Sequence, residues 1–513
     1  MLEAYASVTP AQVQSAMQRW LTRPVASITF EPGEREAYEE AAAAPSGATP
    51  VPAEPIQRVA RMPMPEIGEV EDLDFPTVER ARLSNGIEVV YARVDTVPMT
   101  RVSVSFDAGR AADRPDRLGA HSLMLNLLKE GTRTRDANAL AEAQERLGVN
   151  INIGASMDRS TASLSTPSAN LGSSLTLLAD VLRNPAMDAA AFERVRGQRL
   201  TVIAGERTLP GAIVSRALLP LLYGDNSPYG RSWTGSGDEV TIRGLTLADL
   251  ASEHATWIRP DNATVYVVSD RPLAEVRAEL DRALGDWTPP AAPKGQKNFD
   301  AALPTPQPRI VLIDRPQSPQ SLIYAGQVLP VSGTDDLLTL TVANSILGSN
   351  WVSRINDDLR ETKGWSYGVS GGLIPVEGRV FYAINAPVQA NRTGESIQAL
   401  MAHYERFLEV EGVTQTERDR AVAGNTRSLA GEYETSGQIL DTLISNDLYG
   451  RPDNYPETLA SRTSALTVEQ MDAAARAAID PDSFIWMVVG DASVVRPQLE
   501  ALGLPLEVLS AAP

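Results

Sequence analysis

Apolar and polar residues follow a period of two in some segments of the chain and a helical period in others, and the two kinds of segment recur in a set order. The run RLSNGIEVVYA places Asn85-Gly86 between β-rich flanks, which predicts a type I′ hairpin. In TRVSVSFDAG, Val102, Val104 and Phe106 alternate with Ser and Asp, the pattern of a strand with one buried face. Helical segments LGAHSLMLNLLKEG and DANALAEAQERLG follow, the second with Gly148 placed as a C-cap. Strands INIGASMD and STASLSTP then precede the helix SSLTLLADVLRN. Much of this order returns later as strands PRIVLID and SLIYAGQV, helix LLTLTVANSILG, and β-segments GWSYGVSGG and RVFYAINAP.

An internal repeat explains the recurrence. Leu245 to Asp261 reads LTLADLASEHATWIRPD and Leu466 to Asp482 reads LTVEQMDAAARAAIDPD, with Leu-Thr, Ile and Pro-Asp at the same offsets. Each predicts a helix opened by a Thr cap and stopped by Pro, because the Thr oxygen accepts free N–H groups and Pro cannot continue the ladder. A β-rich run comes next in both, ATVYVVSD and FIWMVVGD. A third copy opens the chain: Val8-Thr9-Pro10 begins a helix, Trp20-Leu21 stands where Trp257-Ile258 does, and VASITFEP supplies the strand. The division expected is a domain tail over 1–33, a Pro, Ala and Glu-rich linker over 34–78, and two homologous domains over 79–290 and 305–513. The fold class is α+β, each domain a mostly antiparallel sheet packed with helices.

At 513 residues with 43% hydrophobic, 22% charged and a mean hydropathy of −0.16, the composition is that of a globular chain with substantial cores. The absence of cysteine excludes disulfides, thiolate nucleophiles and Cys-ligated metal sites, and it suits cytoplasm and periplasm equally. A formal charge of −19 argues against nucleic acid, whose phosphates need a basic stripe. No apolar run reaches the length of a membrane span, and the opening residues lack the basic and apolar regions of a signal peptide.

The succession of the DAG turn, EGT-R-TR, NPAMDAAAFERVRGQRL, LLYGDNSPYGRSWTG and RPDNATVYVVSD resembles a domain of the pitrilysin/insulinase family of zinc metallopeptidases. The stretch SPQSLIYAGQ followed by ANSILGSNWVSRINDDLRETKGWSYGVSGG is similar to that family's C-terminal domain, and the likeness covers residues 79 to 513. The family's catalytic signature is His-x-x-Glu-His on a helix, with two His and a distant Glu holding zinc and the intervening Glu as general base. Anchored on Gly119 and Gly131-Thr132, the two His positions fall on Ser122 and Asn126, the Glu position on Leu125, and the distant ligand near Val202 and Ile203. His121 is one residue out of phase, about 100° around the helix, and reads as a partly buried helix residue. The only other histidines, His254 and His403, lie in different elements. The resemblance thus implies a half that holds no metal, with zinc expected in an active partner half.

Other candidate chemistry is weaker. Gly368-Val-Ser370-Gly-Gly372 matches G-x-S-x-G, but β-like sequence follows where a nucleophile elbow needs a helix. The isolated Gly235-Ser-Gly237 lacks the third Gly and helix of a dinucleotide site. In DDLRETKGWSYG, Arg360 and Tyr367 stand where family members place an Arg and a Tyr that bind substrate backbone; a plain salt bridge of Arg360 with Asp357 or Glu361 is the competing reading. The function expected is a catalytically silent half of a metalloendopeptidase, closing the chamber and binding peptide for a zinc-bearing half or partner subunit. The alternative is a structural, core-type subunit without a proteolytic role.

Overall fold

The computed structural model describes residues 2–29 and 73–509, which belong to separate compact units. Most of the linker expected over 34–78 lies outside the described residues.

In the larger unit the strands form two six-stranded sheets. The first holds β1 (Val78–Arg82), β2 (Glu88–Arg93), β3 (Met99–Phe106), β4 (Asn150–Ala155), β5 (Ser160–Pro167) and β6 (Ala263–Ser269) in the order β1-β2-β6-β3-β5-β4. The second holds β7 (Arg309–Asp314), β8 (Gln320–Ser332), β9 (Ser370–Ile374), β10 (Arg379–Gln389), β11 (Ile485–Gly490) and β12 (Leu506–Leu509) in the order β12-β7-β11-β8-β10-β9. Leaving out the edge strands β1 and β12, the orders are the same. In each sheet the strand after the repeated capped helix, β6 or β11, pairs parallel with the strand that opens the repeat and antiparallel with the next one. The repeat in the sequence is therefore a repeat in topology, and the fold is α+β with mostly antiparallel sheets.

Both central strands are apolar runs rather than alternating ones, and β11 is buried along its whole length. That pattern belongs to a strand covered on both faces. The same holds for β3, expected to bury one face: Ser103 and Ser105 are buried as well as Val102, Val104 and Phe106. The cover comes from an exchange of helices. Helix Ser436–Leu448, from the second half, lays Ile439, Leu440 and Leu443 against Val90, Ala92, Tyr266 and Val268 of the first sheet. Helix Pro210–Tyr223, from the first half, lays Ile213, Leu218 and Leu222 in the apolar cluster with Val311, Met487 and Val489 of the second sheet. Each buried aliphatic side chain contributes about 1.5–3 kcal/mol, so these crossed helices bind the halves tightly.

The turn at Asn85 differs from the type I′ expectation. Gly86 N–H donates to Leu83 O and Leu83 N–H to Ile87 O, both at 2.9 Å, which closes a three-residue loop with its turn at Ser84-Asn85. Gly86 then takes the left-handed position at φ 92. Asn85 keeps an ordinary backbone because its side chain is held elsewhere, donating to Leu284 O at 2.9 Å and Trp287 O at 3.0 Å.

The small unit carries helix Pro10–Trp20, opened by a capping box between Thr9 and Gln12. Helices Leu247–Trp257 and Val468–Ala478 have the same length and the same box, Thr246 with Asp249 and Thr467 with Gln470. Four and eleven residues beyond the cap, the later copies bury Leu250 and Trp257, or Met471 and Ala478. The corresponding Val13 and Trp20 are exposed.

Candidate functional site

The helix that would carry the zinc signature is Ala120–Leu127. It is entered through Gly119 at φ 86, where a Cβ would sit 2.7 Å from Ser236 O, so only glycine fits this turn. Ser122 and Asn126 share its half-buried face one turn apart, while Leu125 packs into the core. Across the site, Val202 is exposed and Ile203 is buried in the same core. At the positions that the resemblance sets against the signature, the structure therefore offers a hydroxyl, an amide and aliphatic carbon. A catalytic zinc needs three nitrogen or carboxylate ligands plus a water, and these residues do not fit it. Among the described residues, no three His, Asp or Glu side chains are grouped so as to hold a metal ion.

His121 is fully buried rather than partly so, and both ring nitrogens are engaged. Nδ1 lies 3.0 Å from Glu253 Oε1 and Nε2 lies 2.6 Å from Ser160 Oγ, which itself accepts the Gly109 N–H at 3.1 Å. The assignment that satisfies all three has Ser160 donating to Nε2 and Nδ1–H donating to Glu253. The order Ser-His-Glu has the polarity of a hydrolase triad, yet Ser160 is as deeply buried as His121 and no substrate reaches it. Its work is to fix the helix. Asp113 assists by accepting the N–H groups of Gly119 at 2.7 Å and His121 at 2.9 Å, and burial pushes its carboxyl up to about 6. The other histidines are occupied separately, His254 Nε2 on Leu182 O at 2.8 Å and His403 Nε2 on Asp358 at 3.0 Å.

Ser370 opens β9, which leads into a second strand and not into the helix a nucleophile elbow requires. Gly235 and Gly237, at φ 66 and 78, serve packing: a Cβ on Gly237 would lie 2.2 Å from Leu118 O.

Arg360 and Tyr367 come together on the surface. The Arg360 guanidinium lies over the Trp351 ring at 4.5 Å and the Tyr367 ring at 5.5 Å, with Nε 3.3 Å from Glu361 Oε1. The expected Glu361 pair is therefore present, but between a half-buried Arg360 and an exposed Glu361 it is worth less than about 1 kcal/mol. Tyr367 is 83% exposed and Trp351 65% exposed, a large aromatic area left in water. The sequence does not single out Trp351, because its partner stands nine positions on, in the widened helical turn Asp357–Thr362 whose spacing the ordinary helical period does not describe.

Family models match along both halves: the one described as insulinase, peptidase family M16, over residues 88–226, and the one described as the peptidase M16 inactive domain over residues 244–425. The chain belongs to the insulinase family, peptidase family M16. A Mycobacterium tuberculosis relative named as an uncharacterized zinc protease is 26% identical over 403 residues, covering 77% of this chain and 90% of that protein. A Helicobacter pylori relative named as a non-peptidase homolog is 21% identical over 389 residues, covering 75% of this chain and 88% of its own. The solved peptidase M16 inactive domain from Pseudomonas fluorescens superposes with a TM-score of 0.75 at 27% identity, covering 81% of this chain and 98% of that one. These likenesses make the chain a catalytically inactive M16 relative.

Proposed function

We propose that the chain is the silent half of an M16 endopeptidase: it closes the chamber and holds extended peptide for a half that carries zinc. The observation that supports this most is the surface stack of Trp351, Arg360 and Tyr367 in a chain whose zinc positions are filled by non-ligands. A pure scaffold has no need to keep a guanidinium fork and a phenol in water, whereas a peptide backbone presents carbonyls to both. Residues 1–33 are, in this reading, the end of a preceding peptidase-like domain, and 79–290 with 305–513 the two domains of the silent half. The exposed Val13 and Trp20 support a covering domain, since their counterparts in the other two helices are buried.

The test is reconstitution. The chain is dialysed, analysed for zinc and assayed on a quenched peptide library alone, then with an M16 half from the same source that carries His-x-x-Glu-His, whether covalently upstream or as a separate chain. Peptide turnover only in the mixture, with zinc confined to the partner, is the expected result. Turnover by this chain alone, or a mixture no faster than the partner by itself, defeats the reading.

A further inference from the structure

A cavity of about 690 Å³ lies where helix Pro210–Tyr223 meets the 231–238 loop and the second sheet. Its accessible wall is mostly apolar, with Ile213, Ala217, Pro220 and Ile313 among the lining residues; Arg110 and Arg231 line it as well, as do the carboxylates Asp113, Asp225, Asp238 and Glu239.

These arginines are unusual. Arg231 is buried, and its guanidinium bonds only backbone carbonyls, Asp225 O at 2.7 Å and Asp113 O at 3.4 Å. Arg110 has a single hydrogen bond, from Nη1 to Trp233 O at 2.6 Å, and its stem lies against Gly235, where a Cβ would come within 2.8 Å. Behind them Arg199 reaches only Gly235 O, at 3.5 Å. None of the three forms an ion pair among the described residues, in a chain of net charge −19. Burial lowers the pKa of all three, outweighing the attraction of Glu206 and Asp113 for Arg199 and of Asp113 and Asp225 for Arg231. Arg207, which also lines the cavity, has a buried Nε with no partner.

The buried carboxylates nearby are committed to other donors. Asp113 accepts the two N–H groups that open the helix at Ala120, and Asp238 accepts Thr241 N–H at 2.9 Å. Glu206 accepts from Arg216 at 2.9 Å and from Ser236 at 2.5 Å, and Glu239 is paired with Arg207 and Arg243. Asp225 is exposed and offers Arg231 its carbonyl. Two forked cations are left beside an apolar wall, in a volume typical of small-ligand sites.

We infer that this cavity binds a small organic anion, a carboxylate on an apolar body. The carboxylate oxygens take the free N–H groups of Arg110 and Arg231, and the body covers Ile213, Ala217 and Pro220. A guanidinium matches a carboxylate in two parallel hydrogen bonds, and burial strengthens them. The chemistry can be supplied by a free alkyl carboxylate or by the C-terminus of an apolar peptide. The site is separate from the Arg360 stack and needs no zinc-bearing partner.

Titration calorimetry on the full chain tests this with four probes: decanoate, decanol, and an acetylated tri-leucine peptide as free acid and as amide. Binding of decanoate or of the free-acid peptide, with the neutral counterpart at least about 10-fold weaker, is the expected result, and whichever acid binds names the source. Arg110→Gln should weaken that acid by about 10-fold or more while the melting temperature holds. Val240→Glu gives a second variant, at a lining position 83% exposed to solvent and so harmless to folding, and its like charge should weaken the acid too. Failure of both acids to bind at millimolar concentration, equal binding of the neutral probes, or unchanged affinity in Val240→Glu overturns the inference.

Discussion

Tyr229 and Asp158 lock the two halves together from inside the fold. The Tyr229 hydroxyl donates to Asp158 Oδ1 at 2.6 Å and accepts the N–H of Gly378 at 2.8 Å, while Asp158 Oδ2 accepts the N–H of Glu377 at 3.0 Å. A loop of the first sheet and the turn between β9 and β10 are thereby joined through one buried phenol. Burial pushes the Asp158 carboxyl up and the Tyr229 hydroxyl well above its usual range.

Tyr229→Phe leaves Asp158 Oδ1 buried without its donor and Gly378 N–H without its acceptor. The expected cost is about 1–3 kcal/mol in urea unfolding, by the penalty for stranding a buried polar group. An unchanged midpoint would show that the halves are held by the exchanged helices alone.

Arg354 grips Glu417 with two bonds of 2.8 Å, and Glu417 also accepts from Thr414 N–H at 2.9 Å in the capping box of helix Gln415–Glu432. Burial by itself would raise this carboxyl, but the Arg354 fork and the Thr414 donors bring it down to about 2. Because the folded value lies below the unfolded one, the stabilisation is complete above the unfolded value and is lost as pH falls through the folded one. Unfolding followed from pH 6 to pH 2 should lose about 2 kcal/mol through this group once solvent screening is allowed for. Glu417→Gln should flatten that part of the profile.

Leu125→Glu tests the packing that replaced the zinc signature. Leu125 sits buried in the first core, so a carboxylate there is taken out of water. The variant should lose about 3 kcal/mol or more, read by denaturant unfolding, and should not regain stability in zinc. Zinc-dependent recovery would mean that Ser122 and Asn126 can still coordinate.

Arg360→Ala and Tyr367→Phe should lower peptide turnover in the reconstituted assembly by about 10- to 150-fold if their hydrogen bonds form in the transition state. Melting temperature should barely move, since an exposed cation–π stack holds less than about 1 kcal/mol. A lower melting temperature with full activity would make the stack structural.

Trp351→Ala separates binding from chemistry at the same surface. With its ring gone, Arg360 loses one of two faces that orient it, so KM should rise more than kcat falls. An equal loss in both would place Trp351 with the transition-state contacts.

Much of this protein was determined by its sequence alone. The runs TVYVV and IWMVV could only be central strands, and the Thr-capped helices before them carry their start signals within four residues. That Ser122, Leu125 and Asn126 carry neither imidazole nor carboxylate is equally legible, whatever the surroundings. Tertiary structure decided everything that depends on distant partners. The apolar faces of Pro210–Tyr223 and Ser436–Leu448 show that each helix must be covered, but hydrophobic burial has no direction, and only packing chose the opposite half's sheet. His121 found Ser160 and Glu253, 39 and 132 residues away, and Arg110 met Arg231 beside an apolar wall built from both halves. Local pattern specifies a residue's own backbone, whereas hydrogen-bond and charge partners are specified by where the chain returns.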